Sequence, residues 1–283
     1  MFHKITSRMA AGALAGFLML AGAGCAWFGA EERLKPGDLT LKLGEDTELR
    51  LVWLAPMQLL VGKYEVSNRQ FRKFKPAHNS GRHNDQTLDD DSQPAVNVSW
   101  KDADAFCAWL TKQYGAVGDK KYKFRLPTEQ EWIAFTACGR ELEYPWGNEL
   151  PPPANWNYFG LENQAVGPKV ERGDKFQVAA PVRKSGVNAW GIYGAGGNVW
   201  EWTADKEGQA SRILKGGSWS DSIPMFLRLD RQSAYEPDYR YINLGFRLVA
   251  EPAAAAAAKP SAPAQPPETA APDSKSSVPA PAP

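Results

Sequence analysis

The side chains that could do chemistry in this chain are few, and their spacing is poor for it. Beyond a leading apolar segment there are two histidines, His78 and His83, and three cysteines, Cys25, Cys107 and Cys138. The two imidazoles stand five apart in residues 76–94, a stretch rich in Asn, Asp, Gly and Ser that reads as a solvated loop with both rings at the surface. Asp89, Asp90 and Asp91 read as a solvated charge run in the same loop. No serine occupies a strand-to-helix elbow and no histidine is placed to activate one, so nucleophilic acyl chemistry is not expected. Cys107 and Cys138 both fall in apolar helical patterns; one disulfide is allowed in an oxidising compartment, and buried inert thiols are the alternative. What does gather is aromatic. Trp219, Phe226, Tyr235, Tyr239 and Tyr241 are interspersed with Asp221, Asp230, Asp238 and Arg240, a mixture typical of a binding face; core burial of half of these rings is the alternative.

The elements that must position those residues can be read from pattern. Short alternating runs such as LTLKLG and ELRLVWL predict strands between Leu39 and Val66, and Ser67 caps a short helix through Phe71 and Phe74. Ser99 with Asp102 opens a helix whose apolar stripe is Ala103, Phe106, Cys107 and Leu110. Thr128 with Glu131 opens another that stops at Gly139. Past Gly139 there is no helix-length periodicity, only short apolar runs divided by Gly, Pro and Asn. The fold class is therefore α+β, loop-rich with little regular secondary structure. In such a domain Trp132, Trp146, Trp200 and Trp202 organise the core, each indole N–H seeking an acceptor. Gly196-Gly197 and Gly216-Gly217 permit positive φ or close backbone approach.

The ends differ from the middle. Lys4 and Arg8 precede an apolar run too short to span a bilayer, so residues 1–24 read as a signal peptide. LAGAGC, ending at Cys25, resembles a bacterial lipobox, which implies lipidation of Cys25 and anchoring at the outer membrane or cell surface. Ordinary cleavage to a soluble periplasmic protein is the alternative. Residues 25–44 form the lipidated cysteine and a spacer, 45–250 the folded domain, and 251–283 a Pro/Ala-rich tail expected to be disordered. A formal charge of +1 with eleven Trp predicts no nucleic-acid partner.

Four blocks carry a family resemblance: PAVNVSWKDADAFCAWL at 94–110, RLPTEQEWIAFTACG at 125–139 with YPWGN at 144–148, NAWGIYGAGGNVWEWTAD at 188–205, and GGSW to GFRLV within 211–249. With GKYEVSNRQF at 62–71 they resemble, in order, the sulfatase-modifying-factor or formylglycine-generating-enzyme family, whose fold is a variant of the C-type lectin fold.

That resemblance implies two thiols that bind copper and oxidise a substrate cysteine. Here the first thiol position falls at Asp221 and the second between Pro224 and Phe226, so neither is a cysteine. Copper(I) prefers soft thiolates, so a copper centre is not expected and copper-dependent formylglycine generation is disfavoured. Ser218 and Trp200 remain from the family pocket. The resemblance also makes Cys107 and Cys138 structural, with usual partner positions at Leu248 and Leu229. It implies a calcium site from Asn155, Trp156, Asp174 and Phe176, and a second, weakened one from Gly197, Val199 and Glu201, where the usual Asp or Asn is Gly194. The expectation is an exported, lipid-anchored binding or assembly module that recognises an envelope protein or glycan. The alternative is an oxidoreductase of the same family with a different metal centre.

Overall fold

The computed structural model describes residues 35, 37–158, 174–221 and 223–253. The signal, Cys25 and nearly all of the Pro/Ala tail lie outside the described residues. Among the described residues, twelve strands and three α-helices alternate with long connections. In chain order they are β1 Leu39–Lys42, β2 Glu48–Leu54, β3 Leu59–Gly62, α1 Asn68–Phe74, β4 Arg82–His83, β5 Gln86–Thr87 and α2 Trp100–Tyr114. There follow β6 Ala116–Val117, β7 Lys120–Arg125, α3 Glu129–Thr136, β8 Trp200–Glu207, β9 Ser211–Lys215, β10 Ser233–Tyr235, β11 Leu244–Gly245 and β12 Val249–Pro252.

All three helices begin at capping boxes. Ser67, Ser99 and Thr128 each accept the N–H of the residue three further on, while Gln70, Asp102 and Glu131 reach back to the cap. These boxes satisfy N–H groups that a helix start leaves unpaired, so the sequence signal and the helix start coincide.

One sheet runs β1-β2-β3-β12-β7-β6, with the C-terminal β12 inserted between β3 and β7, so residues 190 apart in sequence become neighbours. Period-2 alternation divides its side chains. Leu49, Leu51 and Leu60 join α1 and α2 through Phe71, Phe106, Cys107 and Leu110, while Val52, Leu54, Val61 and Val249 face Trp132 and Phe135 of α3. The second sheet runs β10-β9-β8-β11, with β11 parallel to β8 and β10 at the free edge. The β8–β9 hairpin is longer than the short apolar runs predicted, and Trp200, Trp202 and Leu214 tie it into the main core.

Residues 76–94 are more structured than a solvated loop. They carry the β4–β5 hairpin, Leu88 is buried, and Arg72 pairs with both Asp89 and Asp91. His78 packs edge-on against Phe71 at 4.7 Å, and burial pushes its imidazole down to about 4. Cys107 and Cys138 are free thiols, Cys107 buried beside Leu248 in one core cluster and Cys138 half-buried.

Candidate functional site

The GGSW turn positions the centre of the site. Gly216 and Gly217 both adopt positive φ, and a Cβ on Gly217 would fall 2.5 Å from Leu227 Cδ2, so the turn needs glycine there. It delivers Ser218, fully buried, and Asp221 to the indole of Trp200 on β8. One carboxylate oxygen, Asp221 Oδ2, accepts three hydrogen bonds: from Trp200 Nε1 at 2.9 Å, Ser218 N at 2.8 Å and Ser218 Oγ at 2.6 Å. Asn243 Nδ2 donates to Ser218 Oγ and Ser220 Oγ, at 3.0 and 2.9 Å, and its carbonyl accepts from Trp200 N. Burial raises the Asp221 carboxyl above its ordinary value, against the lowering effect of the Ser218 and Trp200 hydrogen bonds. At the first thiol position the protein thus holds a hard oxygen, already ringed by neutral donors.

The second thiol position lies in a short 3-10 turn, Pro224–Leu227. Met225 points outward and Phe226 packs half-buried against the main core. No sulfur other than the Met225 thioether stands in that turn.

The aromatic residues separate into two groups. Trp219, expected on the binding face, is 2 % exposed and packs with Leu88, Val96 and Val199, because the glycine turn aims it inward while its backbone N–H bonds Asn198 O and its buried indole N–H has no partner among the described residues. Tyr235, Tyr239 and Tyr241 instead form an exposed ladder, with ring centroids 4.4 and 6.3 Å apart and interplanar angles of 18° and 14°. With Trp200, Asn243 and Leu244 they line a concavity of about 300 Å³. Five of the seven large exposed hydrophobics among the described residues fall within 223–241: Ile223, Met225, Tyr235, Tyr239 and Tyr241. Apolar exposure is concentrated on this one segment.

Of the first expected calcium set, Asp174 is held against the backbone on both sides of the connection. Asp174 is fully buried, its Oδ2 accepting from Tyr158 N and its Oδ1 from Phe176 N, each at 2.7 Å. Tyr158 is three residues from Asn155, which is exposed and whose carbonyl accepts from Gly186 N at 2.6 Å. No cationic side chain pairs with Asp174 among the described residues, and burial raises its carboxyl to about 6. A buried carboxylate with no cationic partner among the described residues is of the ligand type that a hard cation takes.

The second set does not fit one. Glu201 Oε2 accepts from Trp132 Nε1 at 2.8 Å and Arg247 Nε at 2.7 Å, and Oε1 accepts from Arg247 Nη2 at 2.6 Å. Glu201 and Arg247 are both fully buried. A Cβ on Gly194 would stand 2.3 Å from Glu65 Oε1, so the Glu65 carboxylate fills the space of the missing ligand. Asn198 Nδ2 holds Glu65 Oε1 at 2.8 Å, and burial pushes the Glu65 carboxyl well above its ordinary value. Val199 is buried in the cluster of Trp219, and Gly197 N bonds Gly216 O. Sequence reasoning missed Arg247, Glu65 and Asn198. The available signal was a charge set inside an apolar run, as in LGFRLV and KYEV.

The chain is 38 % identical over 168 residues to the inactive C-alpha-formylglycine-generating enzyme 2 of Mus musculus, covering 54 % of this chain and 48 % of that one. It is 34 % identical over 180 residues to the formylglycine-generating enzyme of Mus musculus, covering 56 % and 45 %. The match therefore spans about half the length of these relatives. Among solved structures, Treponema denticola variable protein 1 superposes with a TM-score of 0.59 at 22 % identity, covering 77 % of this chain and 100 % of that one, which shows a shared fold. Residues 30–252 match the model of the sulfatase-modifying factor enzyme 1-like domain, and the chain belongs to that family.

Proposed function

We propose that this protein is an exported, lipid-anchored member of the family that binds an envelope protein or glycan through its tyrosine face and does not oxidise cysteine. The observation that carries the reading is Asp221. A carboxylate satisfied by Trp200 and Ser218 stands where the family resemblance places a copper-binding thiolate, and hard oxygen is a poor partner for copper(I). The likeness to a relative named as inactive supports the same direction. The concentration of exposed apolar side chains on 223–241 supports a binding role, since contiguous apolar patches on a soluble domain commonly mark interaction surfaces. Calcium at Asn155, Trp156, Asp174 and Phe176 would neutralise the buried Asp174. Anchoring through Cys25 would keep the domain at the bacterial surface or outer membrane.

Two measurements test this. The protein incubated with copper(I), oxygen and a cysteine-containing sulfatase peptide should yield no formylglycine above the enzyme-free background by mass spectrometry. Elemental analysis of the purified protein should find calcium; stoichiometric copper or iron would instead favour an oxidoreductase with a different centre. For the binding role, co-sedimentation with isolated bacterial envelope fragments should fall at least tenfold on Tyr239→Ala.

A further inference from the structure

Resting on the tyrosine face as a binding surface, we propose that its resident occupant is the chain's own proline-rich tail, which docks there as a polyproline II helix and masks it. In the sequence KPSAPAQPP, Pro260, Pro263 and Pro266 recur every third residue. A polyproline II helix has three residues per turn and about 3.1 Å rise, so these prolines share one edge at a repeat of about 9 Å. Such an edge is pre-ordered, loses little entropy on docking, and is recognised by grooves lined with aromatic rings.

The face has the matching form. Tyr235, Tyr239 and Tyr241 are stacked nearly parallel, and their successive spacings of 4.4 and 6.3 Å make a platform about one polyproline turn long. Trp200 closes the concavity they line. None of the three hydroxyls bonds a protein group among the described residues, so each is available to donate to the carbonyl of a docked segment. Glu236 borders the ladder without a cationic partner among the described residues, and Lys259 opens the proline run.

The reach is sufficient. Ala253 N bonds Lys121 O, and Tyr122 N bonds the carbonyl of Gly115, so the described chain ends beside the C-terminal end of α2. The ladder lies at the other end of α2, where Lys101 N bonds Pro237 O and Arg240 pairs with Asp102. Fifteen residues of helix separate the two by about 22 Å. The nine residues 254–262, fully extended, span about 30 Å. Pro263 and Pro266 therefore reach the ladder from within the same molecule.

The test uses a fluorescein-labelled peptide of residues 258–268 and anisotropy titration of two full-length chains, the native one and one with Pro260, Pro263 and Pro266 all changed to Ala. The tail-substituted chain should bind the peptide at least tenfold more tightly than the native chain, whose tethered tail competes at high effective concentration. Adding Tyr239→Ala to the tail-substituted chain should weaken peptide binding at least tenfold. Circular dichroism melting should be unchanged by each substitution. Equal affinity for the two chains, binding that survives Tyr239→Ala, or no binding at all overturns the proposal. Masking that disappears when the native chain is diluted would assign the tail to a second copy and overturn the intramolecular form. Failure of the peptide with envelope co-sedimentation still lost on Tyr239→Ala removes the tail as occupant and leaves the binding face standing, whereas loss of both results removes both.

Discussion

Two carboxylates beside strand β8 are held in opposite ways. Glu201 is fully buried and spends both oxygens on the guanidinium of Arg247 and the indole of Trp132. Asp221 is partly exposed and held by the neutral donors of Ser218 and Trp200, and burial raises its carboxyl. The first arrangement is closed: its charge is balanced and nothing further can be admitted without breaking it. The second is open, because hydrogen bonds satisfy one oxygen while the charge stays uncompensated beside a surface concavity. In this domain the cation partner distinguishes a carboxylate locked in the interior from one beside the aromatic surface.

The sharpest way to break that contrast is to remove the cation. Arg247→Met leaves Glu201 buried and unpaired and should cost about 3–5 kcal/mol in urea denaturation, whereas adding Glu201→Leu should recover a substantial part of the loss. A variant as stable as the native chain would show that the pair is not the closed unit it resembles.

Asp174 belongs with the open group, and calcium should stabilise it. At calcium a hundredfold above the dissociation constant the gain is about 2.7 kcal/mol, read as a rise in melting temperature at pH 7.5. The sign of the pH dependence follows from a carboxyl raised to about 6. Without metal, the native state holds this proton more tightly than the unfolded chain, so stability falls as pH rises from the ordinary value of 3.8 through about 6. Calcium competes with that proton, so its effect should fade as pH falls below 6 and vanish in Asp174→Asn.

At Asp221 the effects should be smaller. Asp221→Ala strands the Ser218 N–H and the Trp200 indole and should cost about 1–3 kcal/mol, while Asp221→Asn keeps an acceptor and should change stability by under about 1 kcal/mol. A large loss in the Asn variant would mean the charge itself is structural. The smallest expected effect is at His78. Its imidazole is held down to about 4, so its contribution is fully present above the ordinary 6.5 and is lost as pH falls through about 4. His78→Leu should flatten the acid limb of the stability profile over that window and change stability at pH 7 by about 1 kcal/mol or less.

What could be read from sequence was whatever is local. Ser67, Ser99 and Thr128 announced three helices because a capping box is complete within four residues. The replacement of a thiol by Asp221 was visible because the GGSW anchor fixes its position three residues from Ser218. What stayed hidden is non-local. The Arg247–Glu201 pair joins residues 46 apart, and no periodicity marks it. Trp219 was assigned to the exposed face because its neighbours are polar, but its direction depends on the positive φ of Gly216 and Gly217, which residue type permits without dictating. Likewise, the acidic loop looked solvated because its Arg72 partner lies on a helix well upstream.

The glycine at 194 has a consequence for reversibility. With Glu65 Oε1 2.3 Å from where a Cβ would stand, an asparagine cannot simply be restored there, even though asparagine tolerates the backbone angle. A cation site there would require Glu65 to yield first, and with it the 2.8 Å hydrogen bond from Asn198. Either single step is uphill, so Gly194 and the buried Glu65 act as a steric latch on each other.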